Sequence, residues 1–296
     1  MMRQTGLLDG AERLRERLAE GGLLTCPGAA DALTARLVSD AGFAAVYMTG
    51  LGATASRLGT PDLGLMTQSE MADQARAMVR ACDLPVIADA DTGYGGPLNV
   101  RRMIQDYAMA GVAALHIEDQ ESPKRCGQLA GVRLISPAQA VDRLRAAVAA
   151  RSEMQVKTVL IGRTDALQPE GLSAALERAK AYRDTGVDLV FVDGVKTRAE
   201  VDAIARGIDG PKVISLVDGT DAATLRFTDL QEMGFSVALY AVTALFGAIA
   251  GMRMALSGLG QDQRPANPPP ATYAEYAGIV DLQGYQQFSH DHEDHS

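Results

Sequence analysis

The sequence predicts an α/β protein of the (β/α)8 TIM-type barrel class, on three observations. Short apolar or β-branched runs recur along the chain, helical patterns separate them, and polar residues collect at or just past the C-terminal ends of the runs. The first two fit an open, doubly wound sheet equally well. The third favours the barrel, because a closed barrel brings all its strand ends to one mouth. A single polar strand end needs no function, since strands turn polar where they leave the core. So many together are harder to explain that way.

Taken in order, the runs are Leu23 to Cys26, Ala45 to Met48, Pro85 to Ala88, Ala114 to Ile117, Thr158 to Ile161, Leu189 to Val192, Lys212 to Leu216 and Val237 to Tyr240, eight candidate strands. Between them, Val100, Met103, Ile104 and Tyr107 give the stripe of a helix packed on a sheet. Capping boxes predict helix starts at Thr67, Thr197 and Thr228, and Ser136-Pro137 adds a proline at the first helical position. Helix ends are marked by Gly42, Gly111, Gly186 and Gly234, each just before the next strand. At the strand ends stand Thr49, Asp89, Asp91, Glu118, Asp119, Arg163, Asp165, Asp193, Asp218 and Tyr240.

The totals narrow the function. At 296 residues with 47% apolar content, one large barrel domain is affordable, and a net charge of −9 argues against a nucleic-acid partner. Three scattered cysteines, Cys26, Cys82 and Cys126, form neither a disulfide framework nor a zinc motif, which suits a reducing, cytoplasmic compartment. No secretory signal is visible near the N-terminus. The most membrane-like run, Val237 to Leu256, is broken by Arg253 and glycines and reads as a strand followed by a buried helix, so no membrane partner is expected.

Two units are expected: a catalytic barrel over 1–262, and a tail over 263–296. The tail comprises a stiff proline-rich linker at 264–270, a short helix around Tyr273 to Ile279, and a frayed, solvated acidic and His-rich end from Ser289. Three of the four histidines lie in that end, so the body keeps only His116 and has little raw material for a Ser-His-Asp or Cys-His arrangement.

What remains is carboxylates and a thiol. Asp89 and Asp91, two apart at a strand end, would share a face of a regular strand and need a cation between them. Glu118 and Asp62 add oxygen donors, and an all-oxygen set of this kind suits Mg²⁺ or Mn²⁺ rather than zinc. Taken singly, each carboxylate is more often a cap or a loop brace. Cys126, preceded by Lys124 and Arg125 and followed by glycine, has the setting of a lowered thiol pKa and a proton-transfer role; Cys26 and Cys82 read as packing residues. Thr49-Gly50 offers backbone N–H groups to a carboxylate, and Arg163 a bidentate partner.

Together, Tyr47-Met48-Thr49-Gly50, Gly59 to Gly64, Asp89 to Gly95, Glu118-Asp119-Gln120, Lys124-Arg125-Cys126-Gly127 and Arg163-Thr164-Asp165-Ala166 resemble the isocitrate lyase/phosphoenolpyruvate mutase superfamily over roughly residues 20 to 260. The shorter members, 2-methylisocitrate lyase, 2,3-dimethylmalate lyase and carboxyphosphonoenolpyruvate mutase, look most similar. The resemblance implies a barrel whose last helix is swapped between subunits, usually in a homotetramer. It also implies Mg²⁺-dependent chemistry on a small oxo- or hydroxy-acid, through an enolate-like intermediate.

By the same resemblance, Asp89 holds the metal, with Asp62, Asp91 and Glu118 reaching it mainly through water. Catalysis falls to Cys126, Tyr47, Arg163 and Lys124, and substrate contact to Thr49, Gly50, Leu51, Arg125, Gly127, Gln128, Asp193 and Ser215. The Lys-Arg-Cys-Gly loop implies a carbon–carbon lyase acting on a 2-hydroxy di- or tricarboxylate to give pyruvate or glyoxylate. Alternatives are oxaloacetate decarboxylation, carbon–phosphorus chemistry at the same metal, or a non-catalytic ligand-binding barrel. The chain departs from the lyase pattern at Gln128, where histidine is usual, at Asp193-Gly194, and at Ser215 and Asp218. Strand eight also lacks the usual proline, reading Tyr240-Ala241. These departures bear on the substrate's distal end.

Overall fold

The computed structural model describes residues 10–257, 259 and 271–292. Eight parallel strands close into a barrel in chain order: β1 Leu24–Ala29, β2 Val46–Met48, β3 Val86–Asp89, β4 Ala114–Glu118, β5 Val159–Thr164, β6 Leu189–Val192, β7 Lys212–Ser215 and β8 Val237–Tyr240. Closure is direct, with Cys26 of β1 beside Leu239 of β8. All eight expected runs are strands, and the open-sheet alternative falls.

The helices around the barrel are α1 Gly10–Ala19, α2 Ala32–Asp40, α3 Gly50–Leu58, α4 Gln68–Ala81, α5 Pro97–Ala110, α6 Pro137–Glu153, α7 Leu172–Arg183, α8 Arg198–Gly207, α9 Phe227–Glu232 and α10 Thr243–Ser257; α11 Tyr273–Ile279 and α12 Leu282–His292 follow. Strand periodicity divides the core in two. Inward residues such as Tyr47, Ile87, Ile161, Leu189, Phe191 and Leu239 fill the barrel, which Leu14 of α1 plugs from below. Outward residues such as Val46, Met48, Ala88, Leu160 and Val190 pack under the helices, with the expected Val100, Met103, Ile104 and Tyr107 stripe among them.

Capping boxes at Thr67, Ser136 and Thr197 form as expected. The start at Thr228 does not: the N-cap of α9 falls two residues earlier, at Arg226, because Asp229 accepts from the Arg226 N–H at 3.1 Å and from its guanidinium at 2.7 Å. A charged double contact outcompetes a threonine hydroxyl. The helix expected to be buried after β8 also differs. Helix α10 forms but none of its residues is buried, and Phe246, Met252 and Leu256 are 45%, 56% and 64% exposed. Its sequence is apolar enough for a core; its neighbours in the chain simply do not cover it.

No described helix is long and apolar enough to cross a membrane. The linker at 264–270 lies outside the described residues. The end expected to fray stays helical through His292, whose ring stacks on Phe288 with centroids 4.4 Å apart, although its side chains are exposed.

Candidate active site

The C-terminal ends of the strands surround a cavity of about 120 Å³, which Tyr47, Thr49, Leu51, Asp62, Asp89, Lys124, Cys126, Gly127, Gln128, Arg163, Asp193 and Ser215 all line. Ala241, noted at the end of strand eight, lines it too, as do four residues that sequence reasoning did not assign to the site: Phe191, Val217, Val242 and Phe246. Phe191 was legible, since it lies two residues before Asp193 on the same inward face. The others depend on how the loops after β7 and β8 and the start of α10 fold over the mouth.

Thr49 is the N-cap of α3, so the first free N–H groups of a nine-residue helix open at the mouth. A carboxylate is well received at such an end. Gly50 is required there: a Cβ would stand 2.5 Å from Asp89 Oδ2. Asp89 ends β3, and its Oδ1 accepts from the Asp91 N–H at 2.9 Å. Asp91 does not share a strand face with it. The strand has ended, Asp91 sits in the left-handed region at φ 45°, and the turn aims its carboxylate at Lys124.

The loop between β4 and α6 closes the cavity. Its base is an antiparallel bridge between Gln120 and Leu134, and the Gln120 side chain grips Arg125 at both backbone N–H and carbonyl. Lys124 Nζ lies 2.8 Å from Asp62 and 2.7 Å from Asp91, while Cys126 N–H donates to the Asp62 carbonyl at 3.1 Å. Gly127 then lies directly over the arginine cluster, where a Cβ would meet Asp165 and Asp193 at 2.5 Å and Arg163 at 2.9 Å. Arg125, expected to touch substrate, is exposed and faces a separate recess with Leu63, Pro123 and Arg133.

Arg163 Nη2 donates to Asp193 at 2.6 Å and Asp165 at 2.8 Å, lies 3.4 Å from Glu118, and its guanidinium rests on the Phe191 ring. Asp165 is in turn held by Asp119, which accepts from the Asp165 N–H at 2.9 Å and from Thr164, Tyr182 and Arg178. Behind the cavity, the Tyr47 hydroxyl is 2.9 Å from His116 Nε2. Burial lowers His116 to about 4 and keeps it neutral.

Electrostatics show a site short of positive charge. Burial first, then Asp89 and Asp62, push Asp91 up to about 6 in spite of Lys124. Burial also raises Glu118 well above the usual carboxylate range, and neither of its buried oxygens has a hydrogen-bond partner. Burial acts the same way on Asp89, but His116, Lys124 and Arg163 outweigh it and hold that carboxyl at about 2. Six carboxylates, Asp62, Asp89, Asp91, Glu118, Asp165 and Asp193, thus gather around two cations, Lys124 and Arg163. An added divalent cation fits this donor set. Among the described residues no three His, Cys, Asp or Glu side chains stand close enough to ligate one ion directly, so it would keep much of its water, as Mg²⁺ does.

The expected lowering of the Cys126 pKa is reversed. Burial pushes the thiol up to about 11, with only the Gln128 N–H and Arg163 acting the other way, because Lys124 is spent on aspartates and Arg125 faces outward. A half-buried thiol that keeps its proton is a proton donor rather than a nucleophile.

The family model described as Phosphoenolpyruvate phosphomutase matches residues 14–259. The chain belongs to the phosphoenolpyruvate mutase/isocitrate lyase superfamily. The 2,3-dimethylmalate lyase of Eubacterium barkeri is 35% identical over 287 residues, covering 96% of this chain and 99% of that protein. The 2-methylisocitrate lyase of Halalkalibacterium halodurans is 39% identical over 235 residues, 79% of this chain and 77% of the other. Among solved structures of the superfamily, oxaloacetate acetylhydrolase in complex with 3,3-difluorooxalacetate superposes with a TM-score of 0.90 at 35% identity, covering 96% and 97% of the two chains. Phosphonopyruvate hydrolase with oxalate and Mg²⁺ follows at a TM-score of 0.85 and 26% identity, covering 96% and 99%. The superfamily resemblance and the barrel expected from the sequence are both borne out.

Proposed function

We propose that this superfamily member is a Mg²⁺-dependent carbon–carbon lyase that cleaves a small 2-hydroxy di- or tricarboxylate and releases a 2-oxo acid such as pyruvate or glyoxylate. The observation that carries the reading is the half-buried thiol of Cys126, protonated, on a loop closed over a ring of carboxylates. Asp89 would hold the metal, with Asp62, Asp91 and Glu118 around it; Mn²⁺ suits the same donors. When bound, the metal would stabilise the alkoxide left when the substrate's 2-hydroxyl gives up its proton, the charge that then drives C–C cleavage.

The chain's own groups do the rest. The N-terminus of α3 at Thr49 and Gly50 receives the oxo-acid carboxylate. Tyr47 stands beside the reacting oxygen, and its hydroxyl takes the substrate's hydroxyl proton as it passes its own to neutral His116 Nε2, 2.9 Å away. As the C–C bond breaks, its electron pair stays with the departing carbon, and the Cys126 Sγ proton quenches that carbanion. Lys124 pins the loop and, with Gly127, keeps water out.

The exposed apolar side of α10 supports exchange of this helix between subunits of a homotetramer, with the barrel over 1–262 and the tail over 263–296 as its two parts. Three free cysteines suit a cytoplasmic setting. A second reading, breakdown of oxaloacetate at the same metal, draws on the likeness to oxaloacetate acetylhydrolase. NMR of the purified protein with Mg²⁺ against 2,3-dimethylmalate, 2-methylisocitrate, citramalate and oxaloacetate tests both. Pyruvate from a hydroxy-acid supports the lyase; turnover of oxaloacetate alone hands the site to the second reading.

A further inference from the structure

We infer that the side of the cavity formed by β6, β7 and β8 selects a 2-hydroxy dicarboxylate bearing alkyl groups and excludes tricarboxylates. This rests on the lyase reading and narrows its substrate class. Closure of the barrel in chain order sets the two halves of the mouth opposite each other. The half from β2 to β5 carries the carboxylates and the α3 N-terminus that would take the oxo-acid head. The other half presents Phe191, Val217, Val242 and Phe246 to the cavity, with the Asp193 carboxylate and the Ser215 side chain as its polar groups.

Between the halves stand two donors with nothing to donate to. Gln128 Nε2 and Arg163 Nε are buried and have no hydrogen-bond partner. Uncommitted buried donors are costly to leave unmet, and two of them suit one more carboxylate. Because position 128 is an amide, that donor stays neutral at every pH. A third carboxylate finds only the neutral Ser215 hydroxyl, and no free cation. The cations lining the cavity are Lys124 and Arg163, and both already face aspartates, Lys124 with Asp62 and Asp91, Arg163 with Asp165 and Asp193. A further anion would lie against apolar side chains beside the Asp193 carboxylate, desolvated and unpaired. Methyl groups on the substrate would instead meet Val217, Val242 and Phe246 and gain by burial.

The test uses the full-length, Mg²⁺-loaded protein. Calorimetric titration with oxalate probes the head half alone, and kcat/KM is then measured for 2,3-dimethylmalate and 2-methylisocitrate. The dicarboxylate is expected to exceed the tricarboxylate by at least about 100-fold. Gln128→Leu, checked for an unchanged unfolding midpoint, is expected to raise KM for the dicarboxylate about 10-fold while leaving the oxalate Kd in place. Comparable kcat/KM for the two acids, or a Gln128→Leu effect equal on oxalate and dicarboxylate, overturns the inference and leaves the lyase reading standing. Failure of oxalate to bind overturns the lyase reading itself.

Discussion

Lys124 Nζ stands 2.8 Å from Asp62, both side chains almost wholly out of solvent, and this contact ties the loop after β4 to the loop after α3. A buried ion pair adds little stability over an apolar pair, but removing one partner strands the other and costs about 3–5 kcal/mol. Lys124→Met leaves Asp62 and Asp91 both without their cation. In the metal-free protein, urea denaturation should show a loss of about 3 kcal/mol, and limited proteolysis should cut faster between residues 122 and 134. Millimolar Mg²⁺ should return part of the lost stability. An unchanged midpoint and cutting rate would show that the pair does not hold the loop.

Cys126 is argued to give a proton, and its pKa of about 11 makes the reactivity of the thiol measurable. At pH 8 only on the order of one thiol in a thousand is ionised. Alkylation by iodoacetamide, followed by mass spectrometry, should therefore be slow near neutrality and rise about tenfold per pH unit up to pH 10. Cys126→Ser should lower kcat about 10²- to 10⁴-fold with little change in KM. Turnover at the wild-type rate would remove the cysteine from the chemistry.

Gly127 has no room for a side chain where the loop meets the barrel. Because an added methyl would stand 2.5 Å from Asp165 and Asp193, Gly127→Ala must lift the loop or displace Arg163. A shift of this size costs on the order of 10²-fold in kcat/KM. Overall stability should change little, since the loop's anchors at Asp62 and Gln120 lie elsewhere. Wild-type kinetics in this variant would mean that the loop does not close during turnover.

His116 gives stability a pH dependence of known sign. Burial lowers its pKa from 6.5 to about 4, so between those values the unfolded chain binds more protons than the folded one. Its contribution is whole above about pH 6.5, declines as the pH falls, and is lost below about 4. The total is about 3 kcal/mol. His116→Gln should flatten the urea midpoint of the metal-free protein across this window relative to wild type. Parallel curves for the two proteins would show that His116 takes up its proton in the folded state.

Much of the site was legible because a barrel converts position along a strand into position in space. Asp89 and Glu118, read as strand-end residues, do end β3 and β4, Arg163 is the last but one of β5, and Phe191 was within reach of the same period-two argument. Side-chain direction beyond the strand ends was not legible. Asp91 left the strand face through a left-handed residue, Arg125 turned outward because Gln120 holds its backbone, and α10 stayed uncovered. Each outcome depends on a partner far away in the chain.

The protein therefore divides cleanly between the two. Local periodicity and turn chemistry in the sequence alone determined the barrel, the mouth and the acids that ring it, because strand pairing and burial follow from patterns a few residues long. Only the tertiary structure decided that Lys124 serves Asp62 and Asp91 rather than Cys126, and that the thiol keeps its proton. Protonation and pairing are set by burial and by charges brought in from other strands, and no local pattern encodes those distances.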